Sequence, residues 1–377
     1  MSSESVFNFE KNDELIENIQ AENKKNFLQI LNSARNLESI YKKMVSGEIS
    51  TNATDFMGKN VLFHCSTLRD FKRFIDLGVY INHRDNTGQN LAFKEQHIPY
   101  IKKLIQDNHL NIKDVYDKYG NNAFFKASDS YYEVLFEKGL DINHLNKNNE
   151  SALFYSNARK TESLLKLGIN TSFFSNDGMH PLFGANLNKT LVMLKYNADV
   201  NVINPLTGCN ALFYITEIAV LSYLIDNGIN RHHLNNRGEN ALFNANSFEV
   251  LRQMIDIYNL DFNLINKKGE TVLFRKHEDK TDYLLEKGID PYKKDKKGFT
   301  AMAYIPSCEA LKIYLKRNIK IRDYVINKGI NTIKDNFKIP DDIKEEVMKR
   351  YTNEEKEILL SHTLDEGSEK EGRRKRL

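Results

Sequence analysis

The sequence has few of the features that mark a secreted, membrane-spanning or catalytic chain. Its three cysteines, Cys65, Cys209 and Cys308, form no CxxC pair and no spacing of a disulfide framework or zinc site, which points to a reducing compartment. No stretch of about 18 apolar residues is available to cross a bilayer. The opening MSSESVFNFEKNDEL lacks the basic region and apolar run of a secretory signal. A soluble cytoplasmic protein is the expectation, with signal-independent delivery into a host cell as the alternative. Neither charge sign dominates: 54 Lys and Arg against 51 Asp and Glu leave a net +3, so bulk charge does not make the chain a polyanion binder. No phosphate loop, GxGxxG fingerprint, HExxH helix, GxSxG elbow or EF-hand loop occurs. The sequence accordingly predicts no enzyme, no cofactor and no catalytic or metal-binding residue.

What the 377 residues do contain is repetition, with 41% hydrophobic content to build a core. A turn residue followed by a phrase close to x-N-A-L-F begins at Gly58, Gly88, Gly120, Asn149, Gly178, Gly208, Gly238, Gly269 and Gly298, at spacings of 29 to 32 residues. Gly or Asn then recurs at Gly78, Asn108, Gly139, Gly168, Asn197, Gly228, Asn259, Gly288 and Asn318. These residues tolerate a left-handed backbone, so each is expected to stop a helix. Three and four residues before the stop lies an apolar pair, from Phe74 and Ile75 through Tyr314 and Leu315; in the seventh unit it is Met254 and Ile255, one residue earlier. Each unit therefore reads as a turn, a short first helix, a second helix and a polar hairpin. Neither helix can bury its apolar face alone, and stacking neighbours buries both.

These phrases resemble the ankyrin repeat, whose unit runs G-x-T-P-L-H-x-A, a second helix with a Leu-Leu pair, then G-A-D-x-N. Asn197-Ala198-Asp199-Val200-Asn201 and Gly178-Met179-His180-Pro181-Leu182-Phe183 carry the likeness most closely, and it extends from Gly58 to about Ile319. Here Thr-Pro is mostly Asn-Ala, His is Phe, and the unit is shorter than the family's usual ~33 residues. The missing residues fall between the helices, so the first helix is expected to be about one turn shorter. The variety resembles ankyrin regions of some bacterial proteins, host-directed effectors among them. The implied fold class is all-α, an ankyrin-repeat solenoid of nine helix-turn-helix units with helical caps at both ends.

Helical spacing of Phe27, Ile30, Leu31, Ala34, Leu37, Ile40 and Met44 predicts an N-terminal helical cap within residues 1–50, ahead of repeats over 51–318. Residues 319–362 read as a C-terminal helical cap with a helix opening at Pro340-Asp341-Asp342. The charged segment 363–377 reads as a disordered tail.

Several residues invite chemical readings. His277-Glu278-Asp279 lacks a second His at i+4 and lies where exposed charge is expected. His83, His144, His232 and His233 recur in hairpins, but equivalent atoms of neighbouring repeats lie about 8 to 10 Å apart, too far to share zinc. Asn90, Asn122, Asn210 and Asn240 read as helix caps, and the recurring Phe from Phe63 to Phe274 as core. His64 adjoins Cys65, yet neighbours on a helix point apart, so it does not activate that thiol.

The resemblance implies a scaffold that binds another protein through hairpin tips and a concave face, inhibiting or sequestering it. Tip residues that vary between copies are the candidate contacts: Arg84, Asp85, Tyr116, Lys118, Lys147, Asp177, Leu206, Arg237, Lys267, Lys268, Lys293 and Lys294. A second reading is anion or nucleic-acid binding by a C-terminal basic group, Lys267, Lys268, Arg275, Lys276, Lys280, Lys293, Lys294, Lys296 and Lys297. Interleaved Glu270, Asp282, Glu286 and Asp295 favour an acidic protein partner instead. A third is a non-catalytic adaptor within an enzyme assembly. The unbound chain is expected to be monomeric.

Overall fold

The computed structural model describes residues 37–94, 99–275, 278–305, 307–336 and 338–374. The structure is all-α: thirteen helices and no strand occur among the described residues, with one isolated bridge between Lys294 and Thr300. Two compact units are present, Met1–Leu182 with Asn188–Asp199, and Phe183–Leu187 with Val200–Leu377. Residues 1–36, which include most of the expected N-terminal cap, lie outside the described part. Its last stretch is helix α1 (Leu37–Val45), which buries Ile40 and Met44 and sets Tyr41 edge-on to Phe74 at 5.8 Å.

The second helices of the nine repeats are α2 (Leu68–Asp76), α3 (Pro99–Gln106), α4 (Tyr132–Glu137), α5 (Ala158–Lys166), α6 (Leu187–Lys195), α7 (Ile218–Asp226), α8 (Phe248–Asp256), α9 (Glu278–Glu286) and α10 (Cys308–Lys316). Every predicted helix stop adopts a left-handed backbone, from Asn259 at φ 54° to Gly288 at φ 88°. The first residue of each apolar pair is buried, as at Phe74, Leu104 and Leu164. The second ranges from buried at Ile105 (1%) to exposed at Phe136 (44%).

The first helices contract further than the shortened repeat suggests. They are single 3₁₀ turns of three or four residues, such as Val61–His64, Leu91–Phe93 and Ala241–Phe243. In the fifth repeat Pro181 to Gly184 forms turns only. So short a helix needs outside support, and Asn supplies it. Asn60, Asn90, Asn122, Asn210 and Asn240 each accept the N–H two residues on, at 3.1 to 3.2 Å. The same side chains donate at 2.6 to 2.9 Å to a carbonyl 19 to 21 residues further along, which ties turn to hairpin. Recurrent Phe rings pack behind this turn, with Phe93, Phe125 and Phe213 buried.

After the ninth repeat, α11 (Arg322–Lys328), α12 (Ile330–Asp335) and α13 (Asp341–Arg374) follow. Ile321, Tyr324, Val325, Ile333 and Val347 join Met302, Leu311 and Tyr314 in one apolar cluster, covering the outer side of that repeat. Helix α13 continues to Arg374, through much of the segment read as a disordered tail. Strong helix formers, Glu366, Glu369, Lys370 and Glu371, are consistent with that extension.

Candidate functional site

The hairpins that join successive repeats are built around an Asx turn. Asp55, Asp85, Asp117, Asn146, Asn235, Asn266 and Asp295 are buried, and each accepts the backbone N–H groups two and four residues on. A positive-φ residue closes the turn. At Gly208 (φ 73°) a Cβ would stand 2.4 Å from Asn236 Oδ1 of the next turn, so only glycine fits. The tips are tied in series by backbone bonds. In the first unit they run Asn86 N–H to Met57 O, Lys118 N–H to Thr87 O and Lys147 N–H to Tyr119 O; in the second, Asn236 N–H to Thr207 O, Lys267 N–H to Arg237 O and Lys296 N–H to Lys268 O.

Alternation along each extended arm decides which side chains face solvent. In the second unit Asn204, Asn235 and Asn266 turn inward, and the residues just before them turn outward: Ile203 (44% exposed), Leu234 (46%) and Ile265 (44%). With Leu206 at 62%, these form an apolar column along three consecutive hairpins. Arg231, Arg237, Lys267 and Lys268 lie exposed on the same hairpins. Tyr116 holds the equivalent outward position in the first unit and stacks on His144 at 4.9 Å.

Of the candidate contacts, Arg84, Tyr116, Lys118, Lys147, Asp177, Leu206, Arg237, Lys267, Lys268, Lys293 and Lys294 are exposed. Asp85 is buried, its carboxylate engaged by its own turn. Lys147 and Lys267 also extend the tip ladder, donating from Nζ to Lys118 O and Asn236 O, each at 2.8 Å. The basic C-terminal group divides. Arg275 turns inward to Glu239 (2.9 Å) and Glu270 (3.1 Å), and Lys280 is buried with its ammonium on Asn246 O. Lys276 and His277 lie outside the described residues.

The hairpin histidines are straps. Nε2 of His83, His144 and His233 donates to the carbonyl of Gly58, Gly120 and Gly208 in the preceding turn, at 2.6 to 2.7 Å. His232 is exposed beside Arg231. Among the described residues no cluster of His, Cys, Asp or Glu could hold a metal ion. His64 Nε2 lies 3.1 Å from Asp55 Oδ2, and burial lowers its affinity for a proton against the pull of that carboxylate. Cys65 is buried, directs its thiol to Val61 O, and is pushed up to about 12 by burial, which makes it a poor nucleophile.

In the fourth and eighth repeats, where a short hydroxyl residue replaces the capping Asn, the cap fails. Ser151 and Thr271 occupy its place with buried hydroxyls that find no hydrogen-bond partner. Their side chains are too short to span turn and hairpin. Thr271→Asn should therefore raise stability by about 1 kcal/mol, read as a higher urea midpoint at unchanged slope.

A short first turn, 3₁₀ in eight of the nine repeats, a second helix ended by a left-handed residue and a polar hairpin define an ankyrin-type repeat fold. Among solved structures the chain is similar to the human ASB11 ankyrin repeat domain, at 15% identity and a TM-score of 0.42, over 50% of this chain and 92% of that one. No protein-family model and no curated protein matches the chain. No described helix is long and apolar enough to cross a membrane.

Proposed function

We propose that this protein is a non-catalytic scaffold that binds, and by covering it sequesters, an acidic segment of another protein that also carries apolar side chains. One observation carries this reading: the solvent-facing column Ile203, Leu234 and Ile265 repeats at the same hairpin position amid exposed Arg and Lys. Exposed apolar groups arranged in register mark interaction surfaces. Successive members stand about 10 Å apart, one repeat spacing, so they suit an extended segment presenting a side chain every third residue or so. The surrounding cations select for acidic neighbours and speed encounter. Nucleic acid is the weaker reading, because Arg275 and Lys280 are turned inward and the exposed column is apolar. A host-directed effector that blocks a host protein would use the surface in this way.

The test is affinity capture from host or native lysate followed by calorimetry on the recovered partner. Ile203→Ser, Leu234→Ser and Ile265→Ser together should weaken binding by about 100-fold or more, at roughly 1 kcal/mol or more per side chain. Lys267→Glu with Lys268→Glu should cost about tenfold, in a salt-dependent manner. A partner held equally by both variants places the binding face elsewhere.

A further inference from the structure

The first three repeats enclose an open cleft of about 460 Å³ between their short first helices. Its lining includes Lys59, His64, Lys94 and Lys126 but no carboxylate. Two of these side chains are already engaged. His64 pairs with Asp55, and the Lys126 ammonium is 3.9 Å from Asp117, whose oxygens also take Gln89, Asn121 and the N–H groups of its own turn. Lys94 is different: its ammonium donates to Cys65 O at 3.0 Å and, among the described residues, has the Phe71 ring 5.9 Å away as further company. A half-buried ammonium that meets a carbonyl and a ring is poorly compensated.

We propose that this cleft is a binding site for a phosphate group, gripped by Lys59, Lys94 and Lys126 with Gln89 as a neutral donor. The three lysines come from successive repeats, Lys59 from the turn before the first helix and Lys94 and Lys126 from the residue just after theirs, so they converge from different elements instead of lying along one solvated face. A phosphate dianion matches that excess of donors, with several acceptor oxygens where the lining supplies cations. The electrostatics agree with the geometry. Burial, with a smaller push from Lys59, lowers Lys94 to about 8, and burial followed by smaller pushes from both lysines depresses His64, so the cleft disfavours its own positive charge and an anion would relieve it. This site is separate from the apolar hairpin column and does not depend on the reading given for it.

The probe is inorganic phosphate, titrated into the full chain at low ionic strength by calorimetry, with chloride at matched ionic strength as the control. Saturable binding is expected, together with a higher melting temperature that chloride does not reproduce. Lys59→Gln and Lys126→Gln should each weaken it by about tenfold, the loss of one charge-assisted hydrogen bond. Lys94→Gln should abolish it; because Lys94 also braces Cys65 O, the two other variants carry the test if that one unfolds. Competition by a phosphoserine peptide and by a nucleoside monophosphate then distinguishes the source. Stronger displacement by the peptide identifies a phosphorylated protein segment, and by the nucleotide a small phosphate ester. No saturable binding, or binding unchanged by Lys59→Gln and Lys126→Gln, overturns the proposal.

Discussion

Replacing Arg275 by alanine should destabilise the protein by about 3 kcal/mol, one of the largest single-residue effects expected in this chain. The reason lies in Glu239. Its side chain is 1% exposed, and a carboxylate taken from water to that depth needs a counter-charge as well as hydrogen bonds. Asn235 and Asn266 donate to it at 3.0 and 3.1 Å, and among the described residues Arg275 brings its cation, at 2.9 Å, while also reaching Glu270. Removing the guanidinium leaves the Asn donors in place and the charge uncompensated. Urea denaturation of the full chain reads the loss, and Glu239→Gln in the Arg275→Ala background should recover most of it, since an amide needs no counter-ion. If the single variant stays within about 0.5 kcal/mol of the parent, the ion pair is not what holds Glu239 inside.

The second large effect is one of pH. The fifth repeat has His180 where five others have the capping Asn, and its ring both caps the turn and ties it to a hairpin carbonyl, here nine residues back instead of about 20 ahead. Nδ1 accepts the Leu182 N–H at 3.2 Å, and Nε2 donates to Thr171 O, which requires the neutral ring with its proton on Nε2. Protonation would turn Nδ1 into a donor facing a donor, in a residue only 3% exposed. Burial, with a smaller push from Lys189 and against the pull of Asp199, lowers His180 from 6.5 to about 4. The unfolded chain therefore takes up this proton first as pH falls. Stability is fully present above about pH 6.5 and is lost between there and about pH 4, by about 3 kcal/mol. His180→Asn retains the cap without the titration. Between pH 7 and pH 4 it should lose about 3 kcal/mol less than the parent in urea melts. Identical pH profiles would remove His180 as the cause.

These two residues also show where sequence reading stops. The repeat, its helix stops and its Asn caps are local features: a left-handed residue or an N-cap works within a few positions of itself, so Asn259 and Asn240 announce their roles by type and place. His83, His144 and His233 do not, because each acts on a carbonyl 24 or 25 residues back, across a repeat boundary. Arg275 and Lys280 are indistinguishable in sequence from the surface lysines around them because charge along a chain carries no record of depth. The apolar hairpin column escapes a sequence reading for another reason. Attention to positions that vary between copies passes over Ile203, Leu234 and Ile265, which are alike. The signal was present all the same: an apolar residue just before each Asn, in hairpins otherwise polar.

The tip ladder has a mechanical corollary. In the second unit, one backbone bond joins each hairpin to the next, Asn236 to Thr207, Lys267 to Arg237 and Lys296 to Lys268. Tension applied along the chain loads such links in sequence, not side by side. Each unit of about 30 residues should then peel away on its own and pay out roughly 100 Å of slack, at the chain's extended reach per residue. A chain built in this way yields by increments, like a tape coming off a surface, and the hairpins still in place keep their register while their neighbours let go.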